Sequence, residues 1–393
     1  MQKKGNKKEV TFDKYTFFDI GSGSVAMGVG ITPEDTSSAV KPKFEYSHRE
    51  RISLTNDISF ERFLEELDKT IKRLNTGNKA VSSSVKDIHV FLSPPWYASQ
   101  VKDIRIEKPK KFLVTKKLIQ NTIEQEAEKV EKFYKDKYKE FGSESIILER
   151  KILKILANGY NVENPIGKEV SSIVLKLYFS VSPKSIVDTI TNSIRSATGR
   201  HNQIFHSTGF SNYKAISVIN ENDNNYLTCD IGAELTEISI VTDDSISASA
   251  TFPIGGEAFL SKLRTDNRKD EQIFQTIKMI EEGSISEEEK NKFLAEIKEV
   301  EDSWEKDLTR ALHDIAIAGY VPSNIYLFAR KDMLSIFKNL IQKEPAFIGN
   351  NPSIKKINSF DSKYLSQFFD MNGQKSLDAS LAICLIYLIN YNR

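Results

Sequence analysis

Several residue patterns that mark large classes of proteins are scarce in this chain of 393 residues. Only two cysteines occur, Cys229 and Cys384, each within an apolar run, so we expect buried thiols in a reducing compartment rather than a disulfide framework. The five histidines are scattered without metal-ligand spacing. Lysine and arginine total 55 against 54 acidic residues, and a net charge of +1 gives no overall signature of nucleic-acid binding.

Long apolar runs are missing as well. The longest, Leu381–Ile389 near the C-terminus, is far shorter than the ~20 residues a membrane-spanning helix needs, and it predicts a core helix. The N-terminal lysine cluster has no apolar segment behind it, which argues against a secretory signal. We therefore expect a disordered basic tail over residues 1–14 and a cytoplasmic protein with no membrane span and no nucleic-acid partner.

Two short segments, about half the chain apart, share one pattern. In Tyr15–Gly21 and again in Tyr226–Gly232, an apolar strand runs into Asp-Ile-Gly. Each segment then turns through small or hydroxyl residues and resumes an apolar alternation. This pattern predicts a β-hairpin that is built twice. A carboxylate at the mouth of each hairpin suggests two lobes that close on one phosphate chain.

The residues of both turns are of the types that bind a triphosphate with its metal ion. Asp19 and Asp230 would hold Mg²⁺, directly or through water. Glycines would let backbone N–H groups approach the phosphates, and hydroxyl groups would donate to phosphate oxygens. These positions are Gly21, Gly23, Gly232, Ser22, Ser24 and Thr236. Hydrolysis at such a site would depend on positioning and the metal, with a water oriented by a carboxylate or amide.

Two other interpretations of the first segment stay open. Gly21–Ala26 fits the dinucleotide fingerprint G-x-G-x-x-A, which requires a helix that begins at the turn and a parallel strand after it. The alternation of Ser24–Ile31, with two further glycines, favours a strand instead. Each Asp-Ile-Gly is also compatible with an ordinary hairpin that has an Asp-stabilised turn. Two copies at matching places make that reading less favourable than a shared site.

The rest of the chain divides around these two hairpins. Helical spacing over 58–74, a buried strand at 88–92 and a long helix capped by Thr115 precede a second series of strands. The order strand, helix, strand, strand, helix over 104–198 predicts a compact α+β module inserted between two halves. We expect a first lobe over 15–103, the inserted module over 104–198, and a second lobe over 199–393 with a helical subdomain at about 257–320.

These residues resemble the actin-like superfamily, and more closely its FtsA and PilM branch. Asp19–Ser24 looks like the first phosphate loop, and Asp230–Ile238 looks like the second, whose usual form is Asp-Ile-Gly-Gly-Gly-Thr-Thr-Asp-Ile. Pro253-Ile-Gly-Gly resembles the segment that follows, which adds Gly255 and Gly256 to the candidate nucleotide-binding residues. The inserted module is similar to the extra subdomain that both families carry.

The resemblance implies an α/β fold of the duplicated actin-like, ribonuclease H-like kind, with ATP and Mg²⁺ between two lobes. The inserted module would contact a neighbouring subunit or a partner protein. FtsA-like proteins link a division filament to the membrane, and PilM-like proteins are cytoplasmic parts of the type IV pilus machine. Both act chiefly as scaffolds with weak or unclear ATPase activity. The resemblance implies a cytoplasmic protein, and we expect its partners to hold it at the inner face of the membrane.

Three departures from the family pattern bear on activity. The second loop has Ala233-Glu234-Leu235 where glycines are expected, which adds side chains and a negative charge beside the phosphates. The adenosine segment, 326–332, lacks the usual Gly-Gly pair. The chain ends at Arg393 directly after the apolar helix, which is more like PilM, whereas the Asn-Pro-Ile-Gly turn at 164–167 is more like FtsA.

We therefore expect a scaffold of a membrane-associated division assembly, with degenerate or weak ATP binding and with self-association as a further expectation. A PilM-like component of a pilus machine is the alternative pathway. An active Mg²⁺-dependent ATPase switch is the alternative of another class.

Overall fold

The computed structural model describes most of the chain, namely residues 11–34, 40–52, 59–75, 87–137, 144–200, 202–316, 320–343 and 356–391. Residues 1–10 of the basic tail expected over 1–14 lie outside the described residues, whereas 12–14 already belong to the first strand, which begins at Phe12.

The first lobe is built on a five-stranded sheet that begins with the first predicted hairpin. Strands β1 (Phe12–Ile20) and β2 (Ser24–Pro33) pair antiparallel, with Ile20 opposite Val25. Because β2 is an antiparallel strand and no helix begins at the turn, the dinucleotide-binding arrangement is excluded. The remaining strands are β3 (Lys43–Arg51), β4 (Ile88–Leu92) and β9 (Gln203–Ser207), in the order β3-β2-β1-β4-β9. Helix α1 (Phe60–Asn75) connects β3 to β4.

The second lobe repeats this topology. Its strands are β10 (Tyr226–Ile231), β11 (Thr236–Thr242), β12 (Ser245–Phe252), β13 (Asn324–Phe328) and β14 (Lys356–Ser359). They follow the order β12-β11-β10-β13-β14, which is the order of the first sheet. In both sheets a hairpin and a third antiparallel strand are followed by parallel strands. The duplicated two-lobe α/β architecture expected from the sequence is confirmed.

Helices form the crossovers that parallel strands require. Between β12 and β13 the chain forms α5 (Gly256–Leu263), α6 (Asp270–Glu282) and α7 (Glu287–Ile315), as the charged helical pattern predicts. The other helices of this part are α4 (Thr208–Ile219), α8 (Leu334–Lys343), α9 (Ser362–Leu365) and α10 (Ala379–Asn390). Trp304 of α7 is fully buried in the core of the second lobe.

Helix α10 is the core helix that the apolar run near the C-terminus predicts. It packs in one hydrophobic cluster with Phe17 and Phe91 of the first lobe and Tyr226 and Tyr326 of the second. Burial of a continuous apolar surface from both sheets is the main force that joins the lobes. Within the described residues no helix is both long enough and apolar enough to cross a membrane.

The inserted module has its own sheet and its own core. Its elements are β5 (Ala98–Leu113), α2 (Lys116–Lys137), β6 (Ser145–Ala157), β7 (Tyr160–Asn161), β8 (Glu169–Pro183) and α3 (Lys184–Thr198). The strand order is β5-β8-β6-β7, and α2 packs on β6 and β8. Helix α3 instead lies against α1 in the core of the first lobe.

Two boundaries differ from the expected ones. The first strand of the module begins at Ala98 rather than near residue 104, because β5 is one long strand paired with β8. The second lobe was expected from residue 199, but strand 203–207 adds to the first sheet beside β4. Local pattern does not reveal which sheet a short strand joins, since that choice depends on a distant partner.

The packing of α10 generates a first prediction. Leu385 is fully buried in the shared cluster, whereas Leu113 is 53% exposed at the end of β5. Leu385→Ala should lower the free energy of unfolding by about 2–5 kcal/mol, because it removes apolar contacts and leaves a cavity. Leu113→Ala should stay within about 0.5 kcal/mol of the wild type. Urea unfolding followed by circular dichroism measures both, and equal losses would contradict the assigned packing.

Candidate functional site: the cleft between the two Asp-Ile-Gly turns

The two Asp-Ile-Gly turns have the same backbone geometry. The Gly21 N–H donates to the Ser24 carbonyl at 3.0 Å, and the Gly232 N–H donates to the Leu235 carbonyl at 2.9 Å. Asp19 and Asp230 therefore occupy equivalent positions at the ends of β1 and β10. The structure brings the two turns together at the interface between the lobes.

The turns face each other in direct contact. A Cβ atom built on Gly23 would lie 2.6 Å from the Ala233 Cβ atom, well inside van der Waals contact. One built on Gly232 would lie 4.0 Å from the Pro94 carbonyl oxygen of the first lobe. The Ala233 methyl group thus lies against the Gly23 backbone, with no room for another group between them.

The N-terminus of α5 is occupied by the second turn. The Gly256 N–H donates to the Gly232 carbonyl and the Glu257 N–H donates to the Ala233 carbonyl, both at 2.9 Å. A Cβ atom on Gly255 would lie 2.6 Å from the Ala233 carbonyl carbon, so glycine is required for this close packing. The first N–H groups of a helix commonly bind anions, but here carbonyl groups of the chain accept from them.

Arg49 of β3 binds the carboxylate of the first turn. Arg49 lies opposite Ala26, which lies opposite Asp19, and the small Ala26 side chain lets the guanidinium reach across β2. Its Nη2 lies 2.7 Å from Asp19 Oδ2, and its Nη1 donates to Ser24 Oγ at 3.0 Å. The same guanidinium forms a two-point ion pair with Asp378, with Nε 2.6 Å from Oδ2 and Nη2 2.9 Å from Oδ1.

Burial and the Arg49 cation change the pKa values of the two carboxyl groups. Burial raises the pKa of Asp19, although the Arg49 cation opposes that effect. Burial also opposes ionisation of Asp378, but Arg49 and the backbone N–H groups of α10 hold its pKa below the usual value. Asp378 caps α10, since its Oδ1 accepts from the Leu381 N–H at 3.0 Å. Arg49 therefore connects the first turn to the helix that joins the lobes.

Among the residues that the structure describes, the acids Asp230 and Glu237 of the second hairpin form no ion pair. Burial and the charge of Asp19 raise the pKa of Asp230 to about 7, against a hydrogen bond at 3.2 Å from the Asn212 side-chain amide. Glu237 lies directly opposite Asp230 on β11. Burial raises the pKa of Glu237 to about 8, although the Tyr97 hydroxyl donates to Glu237 Oε2 at 2.6 Å. Like charges on opposed residues repel, so protonation relieves this pair.

The three hydroxyl groups predicted from the sequence to bind phosphate differ in their hydrogen-bond partners. Ser24 accepts from Arg49. Thr236 Oγ1 is fully buried, donates to the Ile254 carbonyl at 2.7 Å and accepts from Trp304 Nε1 at 3.0 Å. Ser22 Oγ is buried and has no hydrogen-bond partner among the described residues. Of the three hydroxyl groups, that of Ser22 is left without a structural hydrogen bond.

Side chains also fill the segment after β13, where a Gly-Gly pair would leave room for a nucleoside. The Arg330 guanidinium stacks 4.0 Å from the centre of the Phe274 ring of α6. Arg51, from the end of β3, lies 5.5 Å from the same ring. Arg51 also forms an ion pair with Asp270 of the second lobe, so this side of the cleft is bridged between lobes.

This arrangement does not fit a magnesium nucleotide. Arg49 forms an ion pair with Asp19, Asp230 is only partly ionised at neutrality because its pKa is about 7, and the two turns are in contact. A Mg²⁺ ion needs ionised or carbonyl oxygens arranged around it. Within the described part of the chain, no group of three or more His, Cys, Asp or Glu side chains is arranged to hold a metal ion.

Several residues of the cleft are not evident from the sequence. These are Arg49, Asp378, Tyr97, Asn212 and Glu237. Arg49 and Asp378 are 329 positions apart, so no local pattern joins them. For Glu237 the sequence gives a weak indication of a place in the cleft, because an acid opposite Asp230 in an apolar hairpin breaks the expected alternation.

Replacement of the bridging cation is a sharp test of the ion-pair cluster. Arg49→Met would leave the buried Asp19 and the partly buried Asp378 carboxylates without their cation and should destabilise the protein by about 3–5 kcal/mol at pH 7. The loss should shrink at pH 4, where the carboxylates can protonate. The double variant Asp19→Asn/Arg49→Met should lose less than the sum of the two single variants. Additive losses in urea unfolding would show that Asp19 and Arg49 do not interact.

The raised pKa values of Asp230 and Glu237 predict a pH dependence with a definite sign. The folded protein keeps protons that the unfolded chain releases above about pH 4–5, so stability falls as pH rises toward 7 and 8. Each group contributes at most ~1.4 kcal/mol per pH unit. Asp230→Asn and Glu237→Gln keep the shape of each side chain without the charge, so both should flatten the profile between pH 5 and pH 8. Parallel profiles for variants and wild type would contradict the assignment.

The comparisons with known proteins bear on the fold. No protein-family model matches the chain, and no curated protein matches it. Among solved structures, the chain is similar to one described as the PilM-PilN type IV pilus biogenesis complex. The TM-score is 0.61 at 16% sequence identity, over 96% of this chain and 98% of that chain.

More distant similarities point to two other structures. One is a protein of unknown function with an actin-like ATPase fold from Bacteroides thetaiotaomicron, with a TM-score of 0.41, 10% identity and coverage of 94% and 96%. The other is the ethanolamine utilization protein EutJ from Carboxydothermus hydrogenoformans, with a TM-score of 0.41, 10% identity and coverage of 90% and 86%. The expected likeness to PilM is confirmed at the level of the fold. The chain has the actin-like two-lobe fold.

Proposed function

We propose that this protein is a scaffold with an actin-like fold whose nucleotide cleft is closed by its own residues. The observation that carries the proposal is the contact between the two turns, where Gly23 meets Ala233. A triphosphate would have to separate the lobes, break the α5 cap on the Gly232 and Ala233 carbonyls, and displace Ala233. Each of these contacts is intramolecular, so a nucleotide would have to offset their loss before it gained any net affinity.

The charges of the cleft support the same proposal. Phosphoryl transfer relies on a metal ion and on donors aimed at the phosphates. In this cleft Arg49 binds Asp19 and Asp378, and the α5 N–H groups bind the second turn. The hydrogen-bond donors of the cleft thus bind groups of the protein itself. We therefore propose that the protein functions by binding other proteins at its surface.

The likeness to PilM supports a role in a membrane-associated assembly. PilM occurs in the matched structure as a complex with PilN. By analogy of fold, we propose that this chain recruits or organises other proteins, as a cytoplasmic component at the inner face of the membrane. A pilus-type machine is favoured over a division assembly, because the latter is supported by the sequence resemblance alone. The inserted module is the proposed contact for a partner or a neighbouring copy, and it exposes Phe133 on α2 and Ile152 on β6.

Calorimetry with millimolar Mg-ATP tests the proposed nucleotide independence. The wild-type protein should give no binding heat, because a bound triphosphate would collide with the second turn. Analytical ultracentrifugation should give the same sedimentation with and without Mg-ATP. Circular dichroism shows that the sample is folded, and Ala233→Gly, which removes the methyl group facing Gly23, is the matched variant.

Saturable ATP binding with turnover that Asp19→Ala abolishes would refute the scaffold and support the ATPase switch. If Ala233→Gly gave heat on addition of Mg-ATP and the wild type gave none, the Ala233 methyl group alone would be what prevents nucleotide binding. Absence of heat from both is the expected result for a cleft closed by several independent contacts.

A further inference from the structure

The inserted module has one end attached to the lobes and one end far from them. Strand β8 runs for 15 residues from Glu169 at the far end to Pro183, which leads directly into α3 in the first-lobe core. At about 3.3 Å per residue, the far end lies roughly 45 Å from this attachment. Three chain segments meet there.

Backbone hydrogen bonds fix these segments beside one another. The Val114 N–H donates to the Lys168 carbonyl and the Gly167 N–H donates to the Val114 carbonyl, both at 2.9 Å. The pairing of β5 with β8 is irregular between Glu107 and Phe112, so residues 108–111 bulge out of the ladder at this end. The connection from β5 to α2, the turn at 165–168 and the bulge thus form one surface.

This surface is rich in lysine. We define the basic tip as the exposed residues Lys108, Lys110, Lys111, Lys116, Lys117 and Lys168. Among the described residues none of the six forms an ion pair, and the Lys108 ammonium lies 4.9 Å from the centre of the Phe112 ring. The exposed acids of the same segments are Glu107, Glu163 and Glu169. Positive charge therefore dominates this end of the module.

Two of these lysines lie at a helix N-terminus, where acidic residues are usually favoured. Lys116 and Lys117 lie in the first turn of α2, and this first turn contains no acidic residue. The N-terminus of a helix is already the positive end of its dipole, so lysines there are unfavourable for stability and acids are favourable. The field of the helix and the charges of the lysines add together and attract anions. A requirement for stability alone does not explain this arrangement.

Exposed apolar side chains lie at the same end of the module. Leu113 is 53% exposed, Ile166 is 49% exposed, and Tyr160, in the short hairpin of β6 and β7, is 78% exposed. A surface that binds membranes typically combines three kinds of side chain. Aliphatic groups enter the outer part of the bilayer, a tyrosine lies at the boundary with water, and lysines contact the headgroups. Nucleic-acid binding would use the lysines but would leave Leu113 and Ile166 unexplained.

We propose that the basic tip binds the surface of an anionic lipid bilayer. Phosphate and carboxylate headgroups would contact the lysines, while Leu113 and Ile166 enter the boundary between headgroups and acyl chains. The lobes would then project away from the membrane. This contact is direct and does not depend on the nucleotide independence proposed above, nor on which protein assembly the chain serves.

Sedimentation of full-length protein with lipid vesicles tests the proposal. Wild-type protein should bind vesicles of phosphatidylcholine with about 30 mol% phosphatidylserine, should bind pure phosphatidylcholine weakly, and should dissociate as salt is raised. Lys116→Glu/Lys117→Glu should lower the partition coefficient at least about tenfold. Glutamates at a helix N-terminus are favourable, so a folding defect cannot explain the loss.

The matched control changes the same charges at the opposite end of the same helix. Lys132→Glu/Lys135→Glu alters exposed residues of α2 outside the basic tip and should change partition by less than about twofold. All variants keep the N-terminal lysines, so the difference between them reports the tip alone. Leu113→Ser/Ile166→Ser should weaken binding severalfold while charge is unchanged.

Three results would overturn the proposal. The first is no binding of the wild type to anionic vesicles. The second is equal loss in the tip and control variants, which would show that only net charge matters. The third is tight, tip-dependent binding to duplex DNA with no binding to vesicles, which would identify a nucleic acid as the ligand.

Discussion

The Arg49 guanidinium is the interaction on which the arrangement of the cleft depends. It lies between Asp19 of the first turn and Asp378 at the cap of α10, and it also binds Ser24. Buried carboxylates are costly without a cation, so Arg49 makes it possible for the first turn and the C-terminal helix to meet. Helix α10 in turn packs in the apolar cluster shared by both lobes. The lobes are therefore joined by hydrophobic burial, and their approach at the turns is compatible with charge balance because of one arginine.

The two turns show how a backbone can be kept while its chemistry changes. Both close with the same hydrogen bond, from the glycine N–H to the carbonyl three residues later. Strand pairing determines this geometry, and it needs no ligand. The side chains differ, since Ser22, Gly23 and Ser24 correspond to Ala233, Glu234 and Leu235. The second turn fills the space beside Gly23 and accepts hydrogen bonds from α5. The shared backbone geometry of the two turns is therefore accounted for by strand pairing.

The inserted module is attached to the lobes at the end where β5 begins and β8 leads into α3. Tyr97, just before β5, donates to Glu237 of the second lobe and accepts from the Gly209 N–H. Ser99 Oγ lies 3.4 Å from Ser249 Oγ of β12, and α3 packs on α1. The attached end is thus fixed by polar contacts and core packing, whereas the far end exposes lysines and apolar side chains. Rigid attachment and an exposed far end suit a module that presents a surface for binding.

The sequence by itself determined the duplicated hairpins, the two-lobe actin-like fold, the core helix at the C-terminus and the order of elements in the module. Periodicity, turn residues and Asp-Ile-Gly are local signals, and each was readable within a few residues. Only the tertiary structure decided that β9 joins the first sheet, that Arg49 pairs with Asp378, and that Ala233 lies against Gly23. Those contacts join residues far apart in the chain. Their distances depend on how two complete lobes pack, and no local pattern encodes that packing.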